Sequence, residues 1–369
     1  MTVNIRDLKK LEHKRRMNYG YMWALFCAVL WGIWYIPGTI IWALPPFDAM
    51  YSAIADPTGA GTNENAISAT LVVAVLISSF NALTVIISML VWNGVLGKFG
   101  EMKRTMREFN SCSKWFFIAS IFGGPMAILG SFIAIGFIGA GFAAVAALLY
   151  PVIGAVLAYY WYGEKITKRA AIGILVIIAG GFTIFVGGAI SELSAGNVPW
   201  IGYVGGLMAA FGWGIEGAIA GKGLDIAEPD VGLAIRFIGE NVLWWIVIVP
   251  AVALSGYPIF KYALLAFNPL AILVLSFAGI TFGFCYVSWY KSFPLIGVGR
   301  GQGIGNLYGL CAVIFMYLFF AQVPAWTVLV GGALCLLGGF VMISEESDDI
   351  ESLRITVGET QYMESLRGE

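Results

Sequence analysis

From Ala140 to Tyr162 the chain carries no charged residue and is interrupted only by Pro151. The short charged turn Gly163-Glu164-Lys165-Ile166-Thr167-Lys168-Arg169 follows, and a second apolar run covers Ile172 to Val186. Apolar runs of about 20 residues are long enough to cross the hydrocarbon layer of a bilayer. Lipid offers no partner for backbone N–H and C=O groups, so such a run must close its hydrogen bonds internally, as a helix. The pair reads as a transmembrane hairpin with a polar turn on one side of the membrane.

The whole composition agrees with that reading. Apolar residues make up 59% of the chain and charged residues 12%, with a mean hydropathy of +0.84. These values lie far from those of a soluble globular domain. The 47 glycines fall inside the apolar runs, where small residues let membrane helices approach closely. A net charge of −1 argues against a nucleic-acid partner. Cys27, Cys112, Cys285, Cys311 and Cys335 show no CxxC spacing, so neither a disulfide framework nor a metal site is read. The single histidine, His13, lies in a basic tail, which excludes a histidine-based triad at membrane depth. Gly299-Arg300-Gly301-Gln302-Gly303 looks like a nucleotide loop but opens a membrane helix and follows no strand, so no cofactor is expected.

Taken in order, residues 1–18 form a basic tail, and apolar helices are expected at about 19–43, 66–92, 115–137, 140–162, 170–189, 199–221, 231–254, 269–290, 301–320 and 325–343. That gives an all-α membrane protein of ten transmembrane helices. With the N-terminus in the cytosol, all of the 21 Lys and Arg except Lys261 and Arg236 fall on the cytosolic side. The expected location is the cytoplasmic membrane, with both termini cytosolic and the 45–65 and 190–198 loops outside. Residues 344–369 read as an acidic cytosolic tail.

The chain also matches itself. Trp31-Gly32-Ile33 returns as Trp213-Gly214-Ile215, 182 residues later. Gly173, Gly180, Gly181 and Phe182 return as Gly331, Gly338, Gly339 and Phe340, 158 residues later, and Gly139, Gly141 and Tyr150 return as Gly297, Gly299 and Tyr308. Two five-helix halves result, 19–189 and 199–343, joined by an external linker at 190–198. An odd number of helices inverts the second half, giving the inverted repeat common among secondary transporters.

The ordered features Tyr150-Pro151, Gly163-Glu164 and Ala179-Gly180-Gly181 resemble the fourth and fifth helices of EamA-type members of the drug/metabolite transporter superfamily. The resemblance covers about residues 20–343 and implies the same five-plus-five arrangement. Gln322 stands at the second-half counterpart of Glu164, and Gly309 at that of Pro151, so the closing hairpin signature is intact only in the first half. Pro151 removes a backbone donor and disturbs the turn before it. A bend or opening is therefore expected near Leu148–Tyr150, with Pro151 as the hinge.

Polar groups at membrane depth concentrate in the second half. Glu216 and Arg236 sit at matching depth in helices six and seven, and Glu240 lies four residues beyond Arg236, the spacing of an intrahelical pair. Charges here need a partner or water, so such residues usually face a cavity. One reading is a clamp that only fixes packing. The other places Glu216, Arg236 and Glu240 on the substrate path, with one carboxylate able to take a proton. Trp31, Trp34, Tyr35, Trp213, Trp244 and Tyr308 surround them, and aromatic faces beside a carboxylate suit an organic cation. By the repeat, Trp34 takes the place of Glu216. Gln302, Asn306, Asn81, Ser78 and Ser79 add neutral hydrogen-bonding groups equally suited to a sugar or polyol. The Ile296-Gly297-Val298-Gly299 approach to the ninth helix resembles the sugar-uptake branch of the superfamily.

The leading expectation is a secondary transporter of a small polar metabolite, an organic cation or amine favoured, working by alternating access with a proton as candidate coupling ion. A sugar or polyol carrier is the alternative within the class. A membrane enzyme or a channel is the alternative outside it, although Glu216 and Glu240 lack the His or Cys partners an enzyme would need. Expected partners are a small-molecule substrate and the lipid bilayer, and the chain reads as either a monomer or a homodimer.

Overall fold

The computed structural model describes residues 5–59, 65–164, 166–193, 200–321, 323 and 326–344, and no strand occurs among them. The positions from 194 to 199, Gln322 and the tail beyond 344 lie outside the described residues.

The helices are α1 Ile5–Ile40, α2 Pro45–Ala55, α3 Ala66–Val95, α4 Phe99–Arg107, α5 Lys114–Ile121, α6 Leu129–Ala146, α7 Tyr150–Tyr162 and α8 Lys168–Leu193. The chain continues with α9 Trp200–Leu224, α10 Pro229–Val242, α11 Val249–Leu254, α12 Ile259–Leu265, α13 Pro269–Ile296, α14 Val298–Gly305, α15 Tyr308–Phe320 and α16 Trp326–Ile343. Three wider, π-helical turns, Phe109–Ser113, Phe122–Ile128 and Leu243–Ile248, join α4 to α5, α5 to α6 and α10 to α11.

Among the described residues, seven stretches are long and apolar enough to cross a membrane: Leu11–Ala43, Ala66–Val95, Phe109–Ala144, Trp200–Leu224, Pro229–Leu254, Pro269–Ile296 and Val298–Phe320. Of the ten crossings expected from sequence, those at 140–162, 170–189 and 325–343 are not among these seven. In the structure the 140–162 run is broken at 147–149, and α7 holds only 13 residues, about 20 Å at helical rise. From Ile5 the basic N-terminal stretch is helical and continuous with the first helix. The segment after α1 also holds a helix that apolar length does not reveal, α2, opened by Pro45-Pro46, where missing N–H groups cost nothing.

Residues in equivalent places of the two sequence halves meet crosswise. Tyr150 donates to the Gln302 carbonyl at 2.8 Å, and Tyr308 donates to the Ala144 carbonyl at 2.8 Å. A Cβ on Gly180 would lie 2.5 Å from the Gly331 carbonyl oxygen, and one on Gly338 would lie 2.6 Å from that of Gly173. Helices α8 and α16 therefore cross backbone to backbone, as small residues permit. Gly139 (φ 78°, ψ 161°) and Gly297 (φ 86°, ψ 160°) adopt the same left-handed backbone, which a residue with a Cβ rarely takes, and each breaks a helix.

One end of the bundle is tied by charge. Asp230, at the start of α10, is fully buried and meets Lys98 beyond α3 at 2.7 Å and Lys291 in α13 at 3.1 Å. Trp92 donates to the same carboxylate at 3.0 Å, and Glu228 pairs with Lys98 at 2.7 Å. Nearby, the Glu164 carboxylate accepts the Val298 and Gly299 amides at 3.0 and 3.3 Å, capping α14 from the other half of the sequence.

Candidate functional site

Glu216, Arg236 and Glu240 come together at the centre of the bundle, each with no exposed surface. Arg236 Nε stands 2.7 Å from Glu216 Oε1. This contact is an ion pair by distance, since the Nε hydrogen finds no aligned acceptor. One turn along α10, Glu240 Oε2 pairs with Arg236 Nη1. Glu240 Oε1 accepts the Trp244 indole N–H at 3.1 Å. The guanidinium also lies over the rings of Phe237 at 4.1 Å and Tyr286 at 4.8 Å, a placement favourable to a cation.

Helix α13 completes the cluster. Tyr286 donates to Glu216 Oε2 at 2.8 Å, and Tyr290 donates to Glu216 Oε1 at 3.2 Å. Below the triad runs the π-helical turn of residues 122–128, with glycine at the two nearest points. A Cβ on Gly123 would lie 2.0 Å from Arg236 Nη2, and one on Gly124 would lie 2.5 Å from Glu240 Cγ. The backbone can approach the charges this closely only without side chains there. A π-turn of this kind is a frequent device at functional sites.

Beside the triad is an aromatic box. Trp31 stacks on Tyr308 with centroids 4.4 Å apart and meets Trp213 edge-on at 4.5 Å. Tyr150 and Trp289 close it, 5.8 and 6.0 Å from Trp31. The Trp213 indole donates to the Tyr286 hydroxyl at 2.9 Å, which links the box to Glu216 through a single oxygen. In this state the rings touch one another, so the box is filled by its own walls.

The residues singled out from sequence thus divide into three groups. Glu216, Arg236, Glu240 and Trp244 form one connected cluster, and Trp31, Trp213 and Tyr308 form its aromatic neighbour. Trp34 and Tyr35 stand at the edge: Trp34 stacks on Phe282 at 4.5 Å and donates to Asn81, while the Tyr35 ring lies 6.1 Å from Tyr308. Asn306 donates to the Leu148 carbonyl at 3.0 Å, bridging the break before α15 to the break before α7, where Pro151 sits in the first turn.

Sequence reasoning passed over Tyr286, Trp289, Tyr290 and the Gly123-Gly124 pair. The first three share one face of α13 at spacings of three and four residues, a signal present in the chain but indistinguishable there from ordinary core aromatics.

Comparison with known proteins bears on this arrangement. Residues 68–186 match the EamA-like transporter family. The matched stretch runs from α3 into α8 and supplies Gly123, Gly124 and Tyr150, whereas Glu216, Arg236 and Glu240 lie beyond it. EamA-like proteins are membrane transporters, and the seven stretches long and apolar enough to cross a membrane agree with that likeness. No curated protein sequence matches the chain. Of 27 matching chains of known structure, one described as "Crystal structure of protein" superposes with a TM-score of 0.57 at 14% identity. The match covers 87% of this chain and 94% of that one, a likeness of fold across nearly the whole helical array.

Proposed function

We propose that this EamA-type protein is a secondary transporter that moves a small organic cation or amine across the cytoplasmic membrane by alternating access, with a proton as coupling ion. The observation that carries the reading is the charge balance of the buried triad. Two carboxylates face one guanidinium, and none has any exposed surface. Buried charge is costly unless balanced, so the cluster is complete only when a proton or a cationic substrate joins it. The aromatic box beside Glu216 offers the π faces that such a cation prefers.

Alternating access draws support from the crosswise contacts. The reciprocal bonds of Tyr150 and Tyr308, the α8–α16 crossing and the matched breaks at Gly139 and Gly297 are what two inverted five-helix halves about a pseudo-two-fold axis would produce. The end of the bundle carrying Lys98, Lys291 and Glu164 takes the cytosolic side by the positive-inside rule. Its charged ties would then hold that side closed. Pro151, at the first turn of α7, serves as the hinge where the halves part.

A neutral sugar or polyol is the second reading, favoured by the Gln302 and Asn306 side-chain oxygens, both buried without a hydrogen-bond partner. The test is uptake into proteoliposomes under an imposed proton gradient. Saturable uptake of amines that outcompetes sugars, and that collapses when the gradient is dissipated, is the expected outcome. Gradient-independent product formation would point to an enzyme instead, and an ohmic current to a channel.

A further inference from the structure

At the end of the bundle that carries the charged tie, two lysines converge on one ring. Lys114 opens α5 and Lys222 lies in the last turn of α9, and both are half-buried. Their ammoniums stand 5.0 and 4.8 Å from the centre of the Trp115 indole, and Lys222 also lies 4.9 Å from the Trp161 ring. The ion pairs among the described residues include neither lysine. Two cations gathered on one ring repel each other, and the indole face offsets only part of that cost. An anion between them completes the arrangement.

The backbone fixes this placement. A Cβ on Gly221 would lie 2.9 Å from the Tyr162 hydroxyl of α7, and one on Gly223 would lie 2.5 Å from the Phe116 ring of α5. The Tyr162 hydroxyl donates to the Ala218 carbonyl, and Cys112 Sγ donates to that of Gly223 at 3.5 Å. Helices α7 and α5 thus hold the end of α9 on two sides, with Lys222 between the two glycines. Phe116 meets Gly223 and the Phe122 carbonyl meets Gly212, so α5 and α9 run antiparallel.

Below each lysine runs an apolar face. On α5, Ile118 and Ile121 follow Lys114 at four and seven residues and are 38% and 48% exposed. On α9, Ile215 and Phe211 precede Lys222 at seven and eleven residues, and Phe211 is 43% exposed. Those spacings keep each set on one helix face. From Lys222 to Phe211 is about 16 Å at helical rise, against about 15 Å for one leaflet of the hydrocarbon layer. Tryptophans such as Trp115 and Trp161 favour the headgroup level, so the lysines stand where lipid phosphates lie.

We propose that Lys114 and Lys222 hold the phosphate of an anionic phospholipid, whose acyl chain lies along the apolar faces of α5 and α9. A soluble phosphate would meet the same ammoniums but leave those faces unused. A zwitterionic lipid brings an ammonium of its own, a third cation, whereas the glycerol headgroup of phosphatidylglycerol brings none. Lys114 belongs to the first half of the sequence and Lys222, six residues past Glu216, to the second. One bound headgroup therefore bridges the halves at the end of the helix that carries the triad's acid.

The test is native mass spectrometry of the purified full chain, titrated with phosphatidylglycerol or phosphatidylcholine carrying the same acyl chains. A lysine near an anionic lipid surface is worth roughly a fivefold gain in binding. The native chain should take its first phosphatidylglycerol about 25-fold more tightly than its first phosphatidylcholine, and Lys114→Gln and Lys222→Gln should each lower that ratio about fivefold. Lys103→Gln, which removes an exposed charge at the same end, should leave it unchanged. Because the ratio is read within one variant, loss of folded protein cancels. Equal binding of the two lipids by the native chain, or a fall for Lys103→Gln as large as for Lys222→Gln, overturns the assignment. Displacement of phosphatidylglycerol by equimolar glycerol phosphate also overturns it, since the site would then be one for a soluble anion.

Discussion

Tyr286 and Glu216 share a hydrogen bond of 2.8 Å across the α13–α9 boundary, and the same tyrosine oxygen accepts the Trp213 indole at 2.9 Å. Any change in the charge of Glu216 alters what that hydroxyl can donate to, and Trp213 is a wall of the aromatic box. The Arg236 Nη2 group, 3.5 Å from the tyrosine oxygen, faces the same point. Tyr286→Phe keeps the ring and deletes the link. It should lower uptake about tenfold, the scale of one hydrogen bond to a charged group, and displace the pH profile of uptake while leaving the thermal unfolding temperature in detergent nearly unchanged. A Tyr286→Phe protein with the native pH profile would make the tyrosine a packing residue.

The glycine pair beneath the triad gives a steric prediction. Gly123→Ala and Gly124→Ala each place a methyl inside contact distance of charged side chains. Overpacking of this kind costs about 1–3 kcal/mol. Both variants should melt several degrees lower and transport poorly. Gly141→Ala, where a Cβ meets nothing within 4 Å, should behave as the native protein does.

Membrane class, helix positions and the partners Glu216, Arg236 and Glu240 were legible in the chain, because burying charge in lipid forces pairing and because 236 and 240 share a helix face. Tyr286, Tyr290 and Gly123 were not. Helix α13 is apolar nearly all round, so no periodicity fixes its rotation, and nothing local to Gly123 announces an arginine more than a hundred residues away. The breaks at 147–149 and 306–307 were half legible: Pro151 marks the first, but Gly309 stands at its counterpart and the chain opens there all the same.

The charged tie at the bundle end predicts opposite effects for two neighbouring acids. Burial raises the Glu228 carboxyl above its ordinary 4.5, outweighing its bond to Lys98. For Lys98, burial alone would lower the ammonium, yet the bonds to Asp230 and Glu228 outweigh it and hold the value raised. Asp230 anchors the tie, since that carboxylate is fully buried with two lysines and an indole around it. A carboxyl raised on folding favours the folded state below its unfolded value, and this contribution fades as pH rises through the folded value. Glu228→Gln should therefore equal or exceed the native stability at pH 7 and lose that margin at pH 4. Asp230→Asn should be destabilised at pH 7. A reversed order in thermal unfolding would contradict the account.

Orientation is tested by single-cysteine labelling in a cysteine-free background. Thr62→Cys should react with an impermeant thiol reagent from outside, and Lys103→Cys only after the membrane is opened. The reverse pattern would invert the topology and move the charged tie to the outer face.

The central claim is that Glu216 is the coupling acid. Arg236→Ala strands two buried carboxylates and should cost about 3–5 kcal/mol of stability, so it cannot separate coupling from folding. Glu216→Gln nearly preserves shape and removes the charge. The decisive measurement is proton-driven amine uptake by the purified Glu216→Gln protein in proteoliposomes, across pH 5 to 9, beside a thermal-unfolding control. The account predicts a folded protein whose uptake is abolished or no longer depends on pH. A folded Glu216→Gln protein with native rates and the native pH profile would contradict it, leaving the Glu216–Arg236 pair a packing anchor.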